Sequence, residues 1–209
     1  MRNYLLALVF VFASGFVHAG AYDDILEAAN KNDTAAVVDL LKRGMDVNTA
    51  DPAGDTLAMI AARNGNLELL NMLMTNRASV NRRNQFGDSA VLLAALKGHV
   101  EVARLLIENG AQIDPGGWSA LHYAIFGGSS ELLALLVDKG AKLDARAPNG
   151  QTGLMLAVRE GSLGMVKALI DADADMDLAD HEGVTALMLA RKLGHAEIAD
   201  YLRRVGAVE

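Results

Sequence analysis

The chain contains no cysteine. Disulfides, thiolate nucleophiles and cysteine metal sites are therefore excluded, and stability must come from packing alone. Aromatic residues make up only 5% and there are three prolines, yet 52% of residues are hydrophobic. A core drawn from Ala, Leu, Val, Ile and Met suits closely packed helices. Basic residues are outnumbered, 19 against 26 acids, for a net charge of -7, and they form no run. That argues against nucleic acid as a partner, which wants a concentrated basic footprint, and against electrostatic docking on anionic lipid. There is no nucleophile elbow. Gly116-Gly117 and Gly127-Gly128 are not followed by the Lys-Ser/Thr of a phosphate loop. No catalytic residue, cofactor or metal site is expected.

Residues 1–19 read differently from the rest. Arg2 is followed by an apolar run, Leu5 to Phe12, loosely continued to Val17, and Val17-His18-Ala19 has the small-residue spacing of a signal-peptidase site. The run is interrupted at Ser14-Gly15 and falls short of the roughly 20 apolar residues of a spanning helix. The expectation is a signal peptide, cleaved after Ala19 or two residues later, with export to the periplasm and no membrane insertion afterwards. With no cysteine to acylate, a lipoprotein is excluded. Removing residues 1–19 takes away Arg2 and no acid, so 18 bases face 26 acids, a net charge of -8.

From Gly54 onward one pattern repeats. Gly54, Gly87, Gly117, Gly150 and Gly183 are 33, 30, 33 and 33 residues apart. A fixed period in this range marks a stacked-repeat fold. Each unit reads as a short apolar helix, a glycine or polar turn, a second helix, then an extended segment and a tight turn. About six units follow, 21–53, 54–86, 87–116, 117–149, 150–182 and 183–209, in one repeat domain over 20–209. In the first unit Asp23 or Asp24 is placed to cap a helix, replacing the glycine opening. The third unit is shortened at Pro115-Gly116, within a connection. The last helix carries Glu197, Asp200, Arg203 and Arg204, the polar face of a closing repeat. The fifth unit's second helix meets Ala172-Asp173-Ala174 where glycine stands elsewhere, and a looser stop is expected there.

These units resemble the ankyrin repeat. The likeness is fullest at Gly117-Trp118-Ser119-Ala120-Leu121-His122-Tyr123-Ala124, continuing through Leu132-Leu133-Leu135-Leu136 to Gly140-Ala141-Lys142-Leu143-Asp144. Gly98-His99 and Gly194-His195 carry the turn between helices, Gly54-Asp55-Thr56 and Gly183-Val184-Thr185 the start, and Gly110 to Asp114 the end. The chain departs from the family where its proline is replaced by Leu57, Ala90, Ala120, Gly153 and Ala186. It departs again where its histidine is replaced by Met59, Leu92, Met155 and Met188, leaving only His122. The resemblance implies an all-α repeat solenoid, an ankyrin-like stack of helix-turn-helix units with short β-hairpin connections. It also implies structural hydrogen-bonding roles for Thr56, His99, His122, Thr185 and His195.

By the same resemblance, a protein partner meets the hairpin tips and the inner, concave face of the first helices. The matching positions include Phe86, Asp88, Leu96, Trp118, Phe126, Arg159 and Glu160, with Asp55, Arg63, Gln151, Val184 and Lys192. Phe86, Leu96, Phe126 and Trp118, the single tryptophan, give an aromatic cluster with a polar rim, the composition of a protein-binding hot spot. The competing reading has Trp118 filling the gap at the shortened Pro115-Gly116 turn. Asp171, Asp173, Asp175, Asp177 and Asp180 alternate like a calcium loop but lack its central glycine and closing glutamate. The expectation is a non-enzymatic module of the bacterial cell envelope that binds another exported protein. Similar periplasmic proteins are linked to oxidative-stress defence. The alternative is an immunity or inhibitor protein of a secreted toxic enzyme, for which the acidic balance suits a basic target.

Overall fold

The structure, a computed structural model, describes residues 20–208, so the signal peptide expected over 1–19 lies outside the described residues. Residues 20–30 are helical (α1). Asp23 and Asp24 therefore lie inside that helix and do not cap it. The remaining helices are α2 Thr34–Lys42, α3 Leu57–Asn64, α4 Leu67–Thr75, α5 Ala90–Lys97, α6 Val100–Glu108, α7 Ala120–Phe126, α8 Ser130–Asp138, α9 Gly153–Arg159, α10 Leu163–Asp171, α11 Ala186–Leu193 and α12 Ala196–Arg204. None among the described residues is long and apolar enough to cross a membrane.

Helices α2–α4 and α7–α11 begin where a short polar side chain replaces a neighbour's carbonyl as acceptor. Asp33 accepts from Ala36 N–H, Thr56 from Met59, Asn66 from Leu69, Thr152 from Met155 and Thr185 from Met188. Such a cap contributes about 1 kcal/mol. It matters here because these helices are seven to nine residues long, too short to hold alone. The first helices are buried almost all round: Leu57 to Ala62 in α3, Gly153 to Val158 in α9. Their alanines let neighbours approach closely. The second helices bury one stripe, such as Leu69, Leu70 and Leu73 in α4.

The chain divides into two compact units, one ending at Ala90 and one running from Val91. In the first, α4 packs against α3 and α2. In the second, α7, α9 and α11 pack in sequence as one row, α6, α8, α10 and α12 as another, and the rows meet in the pairs α7/α8, α9/α10 and α11/α12.

The expected β-hairpin connections are not formed. Among the described residues there is no strand, only the isolated antiparallel bridges Ala50 to Thr56 and Ala179 to Thr185. The reason lies in where the N–H groups of these connections go. Asp51 Oδ1 accepts from Ala53 and Asp55, Asn84 Oδ1 from Phe86 and Asp88, and Asp180 Oδ1 from Glu182 and Val184. Side-chain turns of this kind compete with a backbone ladder. What remains are single backbone links between successive connections, Gln85 N to Ala53 O at 3.0 Å and His181 N to Asn149 O at 3.4 Å.

The stop at Ala172-Asp173-Ala174 keeps the usual bonds, Asp173 N to Ile170 O and Ala174 N to Leu169 O, both 3.0 Å. Asp173 achieves this with φ +68°, the left-handed conformation. Two of the aspartates that alternate through this region hold backbone N–H groups, Asp175 in a local turn and Asp177 between repeats. Asp144 Oδ1 accepts from Asp175 N–H, Asp175 Oδ1 from Asp177 N–H, and Asp177 Oδ1 from Val208 N–H. Asn48 does the same for Ser79 and Asp114 for Lys142. No group of three or more potential metal-ligating side chains occurs among the described residues.

Candidate protein-binding face

In two repeats the residue after the repeat glycine meets the residue eight positions later, at the end of that unit's first helix. In the second repeat, 54–86, this pair is ionic. Asp55, only 5% exposed, holds Arg63, and its other oxygen accepts from Asn84 Nδ2 at 2.7 Å. In the fourth repeat, 117–149, the pair Trp118 and Phe126 is aromatic, edge to face with centroids 6.3 Å apart. Trp118 also meets the edges of His122 and Tyr123, each at 5.6 Å. Three rings of its own helix thus fix a half-buried tryptophan. Such contacts are worth about 0.5–1.5 kcal/mol beyond burial. Phe126 stays 57% exposed.

Behind these rings His122, 1% exposed, ties α7 to the next connection. Its Nε2 lies 3.3 Å from the Gln151 carbonyl, which only accepts, so that nitrogen carries the proton. Its Nδ1 then accepts from Ser119 Oγ at 2.8 Å and Ser119 N–H at 3.2 Å. Burial pushes the His122 pKa down, opposed in part by the bond to Gln151 and the charge of Asp114. The Ser119–His122 pair is not a catalytic dyad. The serine caps α7 inside the core, and the imidazole spends its far nitrogen on a carbonyl. In α3 a methionine replaces this histidine. Met59 Sδ accepts from Thr56 N–H at 3.4 Å, a weaker version of the same box.

His99 and His195 stand at the N-caps of α6 and α12 without a side-chain capping bond. His195 instead lies over Gly161, where an added Cβ would come within 3.2 Å of its Cε1. Thr185 caps α11. Phe86, 78% exposed, lies in the last connection of the first unit, where Asp88 accepts from Asn84 N–H through its carbonyl. Leu96 is half-buried and presses its carbonyl toward Gly127. Arg159 ends α9 and Glu160 is its C-cap, both exposed.

A family model described as ankyrin repeats (3 copies) matches residues 58–147 and 142–208, and one described as ankyrin repeats (many copies) matches residues 25–74. The chain belongs to the ankyrin-repeat family. No curated protein matches it. As an ankyrin-repeat protein it is a protein–protein interaction module. The sequence reading of this ankyrin-repeat protein missed the amide–carboxylate contacts that buttress the face, Asn84 to Asp55 and Gln151 to Asp180. Their signal was a shared spacing of 29 residues.

Proposed function

We propose that this ankyrin-repeat protein is exported and holds another exported protein against the face carrying Trp118 and Phe126. The observation that carries the reading is Phe126, a large apolar side chain left 57% exposed beside a tryptophan already immobilised by three rings. Such a pair offers contact area at little further entropic cost. The exported, periplasmic location is supported by Arg2, the apolar run and Val17-His18-Ala19. A role in oxidative-stress defence is supported by resemblance alone.

The test is capture of proteins from periplasmic extract by the mature chain and by a Trp118→Ala, Phe126→Ala double variant with an unchanged circular dichroism spectrum. One partner retained by the first and lost from the second is expected. Equal retention by both refutes the assignment of the face. Inhibition of a captured enzyme moves the reading to an immunity or inhibitor protein. An intact mass showing residues 1–19 still present refutes the export reading.

A further inference from the structure

The facing pair of the fifth repeat has lost its acid. In the second repeat Asp55 neutralises Arg63 while an amide, Asn84, supports the carboxylate from 29 residues on. At the corresponding positions the two groups are exchanged. Gln151, 7% exposed, takes the place of the aspartate, and Asp180 takes the place of the amide. Gln151 cannot neutralise Arg159, eight positions along. Asp180 cannot serve instead, because its carboxylate is engaged by the N–H groups of Glu182 and Val184 at 2.9 and 3.0 Å and by the Gln151 side chain. The sixth repeat likewise has no acid there: Val184 and Lys192 stand at the two positions.

Arg159 and Lys192 both line a pocket of about 230 Å³, with Gln151, His181, Asp180 and Glu182. Among the described residues neither cation has an ion pair or hydrogen bond. The ionised side chains lining the pocket are thus Arg159 and Lys192 against Glu182 and Asp180, and the Asp180 carboxylate is turned to the N–H groups of its own connection. Arg146 adds a third cation beside the same connections, donating to the carbonyls of Gly150 at 2.9 Å and Ala179 at 2.7 Å. The floor is rigid, since the Gly150 backbone fits so closely against His181 that a Cβ would come within 2.7 Å of the His181 nitrogen.

We propose that this pocket takes one aspartate or glutamate side chain from an extended segment of the partner protein, its carboxylate lying between Arg159 and Lys192. The volume suits one such side chain, and its carboxylate would give Arg159 and Lys192 the ion pair that Asp55 gives Arg63. The proposal rests on the protein being a binding module and specifies what its partner carries.

The test is a nuclear magnetic resonance titration of the mature protein at low ionic strength with acetyl-Ala-Glu-Ala-amide and, separately, its isostere acetyl-Ala-Gln-Ala-amide. The glutamate peptide is expected to shift the Arg159 Nε–H and His181 ring signals at millimolar concentration. It should bind about fivefold or more tightly than the glutamine peptide, and lose that preference in an Arg159→Gln, Lys192→Met variant. Equal shifts from both peptides overturn the proposal, as does a preference retained in the variant or the absence of any shift. The Trp118→Ala, Phe126→Ala protein should still show the preference. Failure of client capture with the peptide preference intact therefore sinks the aromatic assignment alone, and the converse sinks this pocket alone.

Discussion

Gly127 gives the sharpest test of the packing that presents Phe126. Its φ is -74°, ordinary for any residue, so a Gly127→Ala protein suffers no backbone strain there and gains about 0.4–1 kcal/mol from a less flexible unfolded chain. The space is the obstacle. An added Cβ would sit 2.4 Å from the Leu96 carbonyl oxygen and 3.1 Å from its carbon. That neighbour is backbone and cannot rotate away, so α5 and the end of α7 must part by most of an ångström. Overpacking of this kind costs about 1–3 kcal/mol, and a clash of 2.4 Å with backbone belongs at the upper end, for a net loss of about 2 kcal/mol once the entropic gain is subtracted. Gly164→Ala is the internal control. Gly164 lies within α10 and an added Cβ there meets nothing within 4 Å, so that change should stabilise by about 0.5–1 kcal/mol. Urea unfolding followed by circular dichroism should move the midpoints of the two variants in opposite directions. A Gly127→Ala protein as stable as the wild type refutes the argued contact between the fourth repeat and Leu96.

Other consequences follow from single side chains. His122 is held neutral by burial, so its folded pKa lies below the unfolded one. The unfolded chain then takes up the proton first, and stability should fall as pH drops below about 6.5, levelling off once the folded protein also protonates. The difference between wild type and His122→Leu in thermal unfolding from pH 7.5 to 5 isolates that slope, and an identical pH dependence in the two proteins contradicts it. Asp55→Asn should cost about 1–3 kcal/mol because Arg63 is left without its carboxylate in a largely buried setting, measured by denaturant unfolding. Asp173→Gly should stabilise by about 0.5–1 kcal/mol by relieving the positive φ, read as a raised melting temperature.

What was legible in the sequence was whatever repeats. The glycine spacing located the units, and Thr56 and Thr185 proved to be helix caps. The family likeness extended to a histidine, His122, that does bind the next connection. The hairpins were misjudged because their segments contain Asp51, Asn84 and Asp180, whose side chains take the N–H groups that a ladder needs. The run from Asp171 to Asp180 looked like a calcium loop because alternation along a chain does not reveal that Asp177 reaches a residue 31 positions away. The facing pairs eight residues apart exceed the three- and four-residue spacings by which helical neighbours are read. Only the structure shows that Trp118 meets Phe126 and Arg63 meets Asp55, while Arg159 and Gln151 line one pocket.

The central claim is that the aromatic pair on the inner helices contacts the partner, and calorimetric titration with the partner identified by capture tests it most directly. Wild type should bind at least about 100-fold more tightly than the Trp118→Ala, Phe126→Ala protein, the loss expected when hot-spot aromatics are truncated. A Lys167→Ala protein, altered on α10 where Lys167 lies over Tyr201 of α12, should bind as wild type does. Loss of affinity from Lys167→Ala with full affinity in the aromatic variant would place the partner on the second helices and contradict the account.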